Sequence, residues 1–403
     1  MLFGFALLVC LPAVCSAQGG GQGAFVGLYG NNSLVIRPPA DGQVLIDGAD
    51  FRALVAKVQA LEQVVQTQGQ QLEAKQCTKV AADTTTISDL SGNGKWYGGV
   101  LAGNGKIYGF PHGSTSVLII DPATNIADTT TITGLSGSSE KWFGGVLAGN
   151  DKIYGIPRNS ASVLIIDPAT NTADTTTITG LTSGGKKWMD GVLAGNGKIY
   201  GMPCDSTSVL IIDPATNIAD TTTITGLSGI DKWSGGVLAG NGKIYGIPSI
   251  STSVLIIDPT TNTADITTIT GLSGGDAWRG GVLAGNGKIY GIPLMSASVL
   301  IIDPTTNTAD ATTIRGLGAG GNKWIGGVLA GNGKIYGMAY GSASVLIIDP
   351  DTNTADTTTI TGWGGGGSWE GGVLAGNGKI YGIPHSSASV LIIQSVCMLT
   401  GGL

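Results

Sequence analysis

The stretch Val100-Leu101-Ala102-Gly103-Asn104-Gly105-Lys106-Ile107-Tyr108-Gly109 decides how the rest of the chain is read. It returns at Val146, Val192, Val237, Val282, Val328 and Val373, every 45 or 46 residues, and Asp151 in the second copy is its one internal change. Apolar, β-branched residues on both sides of Asn-Gly spell strand, tight turn, strand, and the pair predicts a two-residue type I′ loop with positive φ at both positions. Outward from this phrase every unit carries four strand-like runs. In the first unit these are Gly99–Ala102, Lys106–Pro111, Ser116–Asp121 and Ala127–Ile132. The turn Asp121-Pro122-Ala123-Thr124-Asn125 joins the last two, with Pro fixing φ and Asn suited to the left-handed region.

Four strands joined by hairpins and repeated at this period make the blade of a β-propeller. Counting the runs separately locates the ring closure. The Ala-Asp-x-Thr-Thr-Ile run begins at Ala82, Ala127, Ala173, Ala219, Ala264, Ala309 and Ala355, so one copy precedes the first full unit and the last unit lacks its own. Ala82–Ile87 is therefore expected to pair with Val390–Ile393 and complete seven four-stranded antiparallel blades over residues 82–393, leaving no open end. Cys77 and Cys397 flank these two strands, and in an oxidising compartment a disulfide between them would lock the closure.

Composition agrees with an all-β fold. The 403 residues include 68 Gly and only 12% charged residues, while 42% are apolar. Scattered Val, Ile and Leu in that amount exclude a disordered chain and a membrane-embedded one. A net charge of −6 excludes a phosphate-backbone binder, so no nucleic-acid partner is expected.

The N-terminal portion reads differently. Residues 1–17, an apolar run ending in Cys15-Ser16-Ala17, have the character of a signal peptide and imply a secreted protein with no transmembrane segment. Residues 18–50 are a Gly/Gln-rich lead with strand-like pieces at Ser33–Arg37 and Gln43–Asp47. In residues 51–76, Phe51, Leu54, Val58, Leu61, Val65, Gln68 and Leu72 are spaced three and four apart, the seam of an amphipathic helix. Such a helix either forms a coiled-coil stalk that makes a homo-oligomer or packs on the downstream domain. Residues 394–403 are left as a tail.

The phrases Lys-Ile-Tyr-Gly-Ile-Pro and Ser-Val-Leu-Ile-Ile-Asp-Pro-Ala-Thr-Asn-Thr resemble the repeats of YVTN-type and kelch-like β-propellers. A Tyr-containing strand is followed there by a Val-rich strand and an Asp-x-x-Thr-Asn turn. The kelch glycine doublet is replaced by pairs such as Gly155-Ile156, which favours the YVTN side. That resemblance implies a fold and an extracellular setting, without an activity.

Comparing the seven copies with one another points to a site. The Asn-Gly and Asp-Pro hairpins lie on one face of the ring and are nearly invariant. On the other face lie the loops after each second strand and the links between blades, and there the copies differ. They bring His112, Arg158, Asp205, Tyr340 and His385 to that face, with Tyr97, Phe143, Arg279 and Glu370 just after their blade's Trp at the mouth of the central channel. Loops on a rigid scaffold are where recognition concentrates, so these nine form the expected ligand surface for an extracellular protein or glycan.

The Trp repeated in every blade has two readings: interblade packing, or sugar stacking in a lectin-like propeller. An enzyme acting on extracellular polysaccharide is disfavoured, because two histidines and few clustered charges provide no catalytic set, and no metal or cofactor site is indicated.

Overall fold

The computed structural model describes residues 25–29, 33–37, 45–46, 49–50, 79–137, 139–363 and 368–396. The signal segment, the helix expected at 51–76, Cys77 and Cys397 all fall outside these residues. The chain divides into two compact units, residues 1–72 and 73–403. In the first, Ser33–Arg37 is a strand as expected, paired antiparallel with Phe25–Tyr29. Within Gln43–Asp47 the described residues, Leu45–Ile46, are strand and pair with Ala49–Asp50.

The second unit is seven four-stranded antiparallel sheets, all-β, with no helix among the described residues. In the second blade the strands run Trp142–Leu147, Ile153–Pro157, Leu164–Asp167 and Thr172–Asp174, from the channel to the rim. The seventh blade completes itself with a strand from the start of the unit, as the repeat count requires. That strand is Lys79–Asp83 rather than Ala82–Ile87, and it pairs with Leu391–Val396 from Ile392↔Asp83 to Val396↔Lys79. The sheet thus extends into the expected tail.

The strand ends at Asp83 for a chemical reason that recurs in every blade. Its carboxylate accepts hydrogen bonds from the Thr85 amide and hydroxyl and from the Thr86 amide and hydroxyl, which turns the chain out of the ladder. The Ile that closes each run leaves the strand but not the core: Ile132, Ile178 and their equivalents are buried between blades.

The Asn-Gly hairpin also differs from expectation. Gly105 has φ +78°, whereas Asn104 does not enter the positive region. The Gly105 amide donates to Ala102 O and the Ala102 amide to Lys106 O, so the loop has three residues: a type I turn followed by a left-handed glycine. Asn104 keeps ordinary backbone geometry because the left-handed position of a three-residue loop falls to Gly105, and its side chain bonds across the blade junction. Its Nδ2 donates to the Tyr108 hydroxyl and to Pro168 O of the next blade, both at 3.0 Å.

Apolar cores lie between blades. Tyr108, Phe110, Val117 and Ile119 of the first blade pack against Trp142, Ile153, Leu164 and Ile166 of the second. All seven repeated Trp rings are buried, Trp278 completely, and each Nε1 donates to a Ser carbonyl, as Trp142 does to Ser162 O at 2.8 Å. Packing is therefore their role, and the lectin reading through Trp is overturned because no ring face is open to a sugar.

Candidate functional site at the channel mouth

A one-residue bulge in each innermost strand shapes the channel. Trp142 faces Pro157 and Gly145 faces Gly155, so Phe143 and Gly144 oppose a single residue. The extra residue takes φ near +65 to +86°, and in six blades it is glycine: Gly98, Gly144, Gly235, Gly280, Gly326 and Gly371. A Cβ on Gly326 would sit 2.9 Å from the Gly371 Cα, so these glycines pass one another too closely for side chains. The residue just before the bulge is turned into the channel mouth.

There the structure brings together most of the residues expected from the sequence. The rings of Tyr97 and Phe143 stack with centroids 3.8 Å apart, and the Arg158 guanidinium lies 4.2 Å from the centre of Phe143. Arg158 Nη1 also reaches Glu140 Oε2 at 2.8 Å. His112 and His385, in blades made neighbours by ring closure, meet edge to face at 5.0 Å, and Tyr340 lies 5.8 Å from His385. Glu370 Oε1 is 4.0 Å from His385 Nδ1. Arg279 Nη2 is 3.9 Å from Asp276 Oδ1.

Asp205 stands apart from this cluster. Its Oδ1 accepts from the Asp231 amide, and Cys204 Sγ donates to Asp231 Oδ1 at 3.3 Å. In the next blade Ser249 Oγ donates to Asp276 Oδ1 at 2.7 Å from the equivalent position. Cys204, Asp205 and Asp231 thus form an interblade clasp in which the Cys204 thiol and the Asp231 amide donate and the two carboxylates accept.

Burial corrects one expectation. Tyr97, Phe143, His112, Arg158 and Glu370 are not an open surface but an interlocked plug, each less than 10% exposed, joined by Met189, Leu294 and Ile325. Arg279, Asp205, Tyr340 and His385 remain half-buried and reachable from solvent. Apolar contact won over exposure because these side chains converge on a narrow channel mouth, where they meet one another before they meet solvent.

Electrostatics in the plug are unusual. Burial pushes the Glu370 carboxyl up to about 8, against the opposing pull of Arg279 and Arg158, so it holds its proton at neutral pH. Burial also lowers both histidines, His385 to about 4, which keeps them uncharged. Glu370 Oε2, Arg158 Nε and Arg279 Nε are buried without a hydrogen-bond partner among the described residues. Unsatisfied buried polar atoms are uncommon and destabilising, which marks this plug off from the rest of the protein.

One ring of residues was not recognised in the sequence. Lys95, Lys141, Lys187 and Lys232, each immediately before its blade's Trp, are buried, and Lys323 occupies the same position. Lys232 Nζ donates to the carbonyls of Cys204, Ser206 and Gly229 at 2.7–2.9 Å, and lies 5.9 Å from the Trp233 ring centre. These lysines bind the variable loops of one blade to the next. The Lys-Trp pair in five of seven copies was the available signal.

With these features the protein is a seven-bladed β-propeller whose blades differ mainly at one mouth of the channel. Similar solved structures are propellers too. A streptogramin B lyase is 10% identical over 79% of this chain and 99% of its own, with TM-score 0.63. The extracellular domain of a one component system from B. thetaiotaomicron gives 11%, 77%, 42% and 0.56, in the same order. For an auxiliary nutrient binding protein from Bacteroides ovatus the values are 13%, 78%, 76% and 0.50. At such identities the likeness is one of fold. No protein-family model and no curated protein matches the chain, so the YVTN-type character of the repeat stays a resemblance.

Proposed function

We propose that the protein is an extracellular binding propeller that presents the variable face to a protein or polymer ligand. One observation carries this reading. Seven copies of one repeat agree in core, turns and opposite face, yet at the channel mouth they place different aromatic, cationic and acidic side chains, including polar groups left unsatisfied. Neutral change would spread over the exposed loops of both faces. The reachable part of the mouth is Arg279, Tyr340 and His385, and the nearby loops of the fourth blade add Ile230 and Ile250, 66% and 39% exposed. A large ligand lying across this rim meets cationic, aromatic and apolar groups together, the composition of an interface centre. Extracellular domains and a nutrient-binding protein among the fold neighbours agree with such a role.

The test is binding of the purified protein to an array of extracellular polysaccharides and secreted proteins. Arg279→Ala and Tyr340→Ala should weaken any hit at least tenfold, and Lys106→Ala on the opposite face should not. Loss on the Lys106 variant alone, or no change in the mouth variants, rejects the proposal.

A further inference from the structure

The third blade breaks the glycine ring of the channel. Where six blades have glycine, it has Asp190, at φ +63°, a conformation that residues with a side chain rarely adopt. Its carboxylate reaches across the blade junctions: a Cβ on Gly144 would lie 2.6 Å from Asp190 Oδ1, and one on Gly235 would lie 3.6 Å from Oδ2.

Beside it the channel holds a cavity of about 150 Å³, walled by the glycine pairs of the bulges and by Tyr97, Met189, Ser234 and Ile325. Asp190 is the one charged side chain in that wall. Its Oδ1 accepts from the Gly191 amide at 2.9 Å, and Oδ2 has no hydrogen-bond partner among the described residues. No Lys or Arg of the described residues comes within 4 Å of the carboxylate. Asp190 is half-buried, its carboxylate shielded by the channel wall yet open to the cavity, and a carboxylate so placed without a cationic neighbour favours a counter-ion.

We propose that this cavity binds a single monovalent metal cation, of sodium or potassium size, against the Asp190 carboxylate. The charge follows from the wall. One carboxylate among uncharged backbone and side-chain groups neutralises one positive charge, whereas a divalent ion would leave an uncompensated charge in the channel. The cavity, about 150 Å³, has room for such an ion together with several of its waters. Burial raises the carboxyl to about 6, so it is ionised at neutral pH and available to a cation. The cavity shares Tyr97, Met189 and Ile325 with the plug, but its ion is held by Asp190 and its occupancy does not depend on the proposed ligand surface.

The experiment measures the thermal midpoint of the full chain in sodium, potassium, magnesium or N-methylglucamine chloride at equal ionic strength, for the wild type and Asp190→Gly. Glycine stands at this position in six blades, so the variant should fold. Sodium or potassium should raise the wild-type midpoint by roughly 2 °C over N-methylglucamine at tenfold excess over Kd, and should leave the variant unmoved. Thallium(I) soaked into crystals should give an anomalous peak beside Asp190 in the wild type only. Equal responses in the two proteins, a response to magnesium alone, or no thallium peak would overturn the proposal.

Discussion

The Tyr108 hydroxyl of the first blade donates to Asn171 Oδ1 of the second at 2.8 Å. With Asn104 Nδ2 donating to the same hydroxyl and to Pro168 O, the contact ties one blade's first hairpin to the next blade's last turn. Asn171 is free to turn toward Tyr108 because its backbone sits at φ +52°, which Asn tolerates better than most residues. The clamp is found at six junctions. At the one between the sixth and seventh blades, Tyr336 keeps only Asn332 among the described residues, since the closing strand replaces the turn that would supply the second Asn.

Tyr154→Phe removes a donor to Asn217 Oδ1 and should lower stability by about 1–2 kcal/mol in urea unfolding. Tyr336→Phe has less to lose and should lower it by under about 1 kcal/mol. Equal losses would show that the interblade bond contributes nothing beyond the ring's packing.

Glu370 makes the protein less stable as pH rises. Its folded carboxyl titrates near 8 against the ordinary 4.5, so its favourable contribution is complete below 4.5 and is lost as pH climbs through 8. Glu370→Gln should therefore leave the thermal midpoint almost unchanged at pH 4 and raise stability by roughly 2–4 kcal/mol at pH 9. A gain independent of pH would reject this account.

The strand-ending aspartates act in the opposite sense. Thr hydroxyls and amides hold Asp83, Asp128, Asp174, Asp265, Asp310 and Asp356 at about 2, below the ordinary 3.8. Their contribution is present above 3.8 and is lost as pH falls through 2. Circular dichroism melts should show a steep fall in midpoint between pH 4 and pH 2. A midpoint flat to pH 2 would contradict it.

The closing sheet predicts a covalent lock. Described pairing ends at Val396↔Lys79, with Cys397 the next residue on one side and Cys77 two residues away on the other. A non-reducing peptide map should recover Cys77 joined to Cys397, and reduction should lower stability by roughly 2–5 kcal/mol. Recovery of both as free thiols would exclude the bond.

The repeat phrase made the blades, their number and the source of the closing strand legible, because Asn-Gly and Asp-Pro turns report backbone geometry locally. Strand ends were less legible. Asp83 continues the alternation of its strand yet ends it, and only its side-chain bonds to Thr85 and Thr86 reveal this. Residues at the mouth were identified by comparing copies, but their burial was not, because it depends on side chains from different blades meeting across the channel. Asp190 was visible as a departure from glycine. Its meaning depended on the bulge, which no pattern in the sequence marks.

Ring closure by Lys79–Asp83 also sets an order of events in the life of the chain. The closing strand is synthesised more than three hundred residues before its partner, Leu391–Val396. Until the seventh blade is made, that early strand has no native neighbour, and the last step of folding joins the two most distant parts of the propeller sequence. Blades can stack one by one as they emerge, but the circle forms only when synthesis of the propeller is complete, so a chain cut short before its final strand is an arc with two exposed sheet edges, open to aggregation.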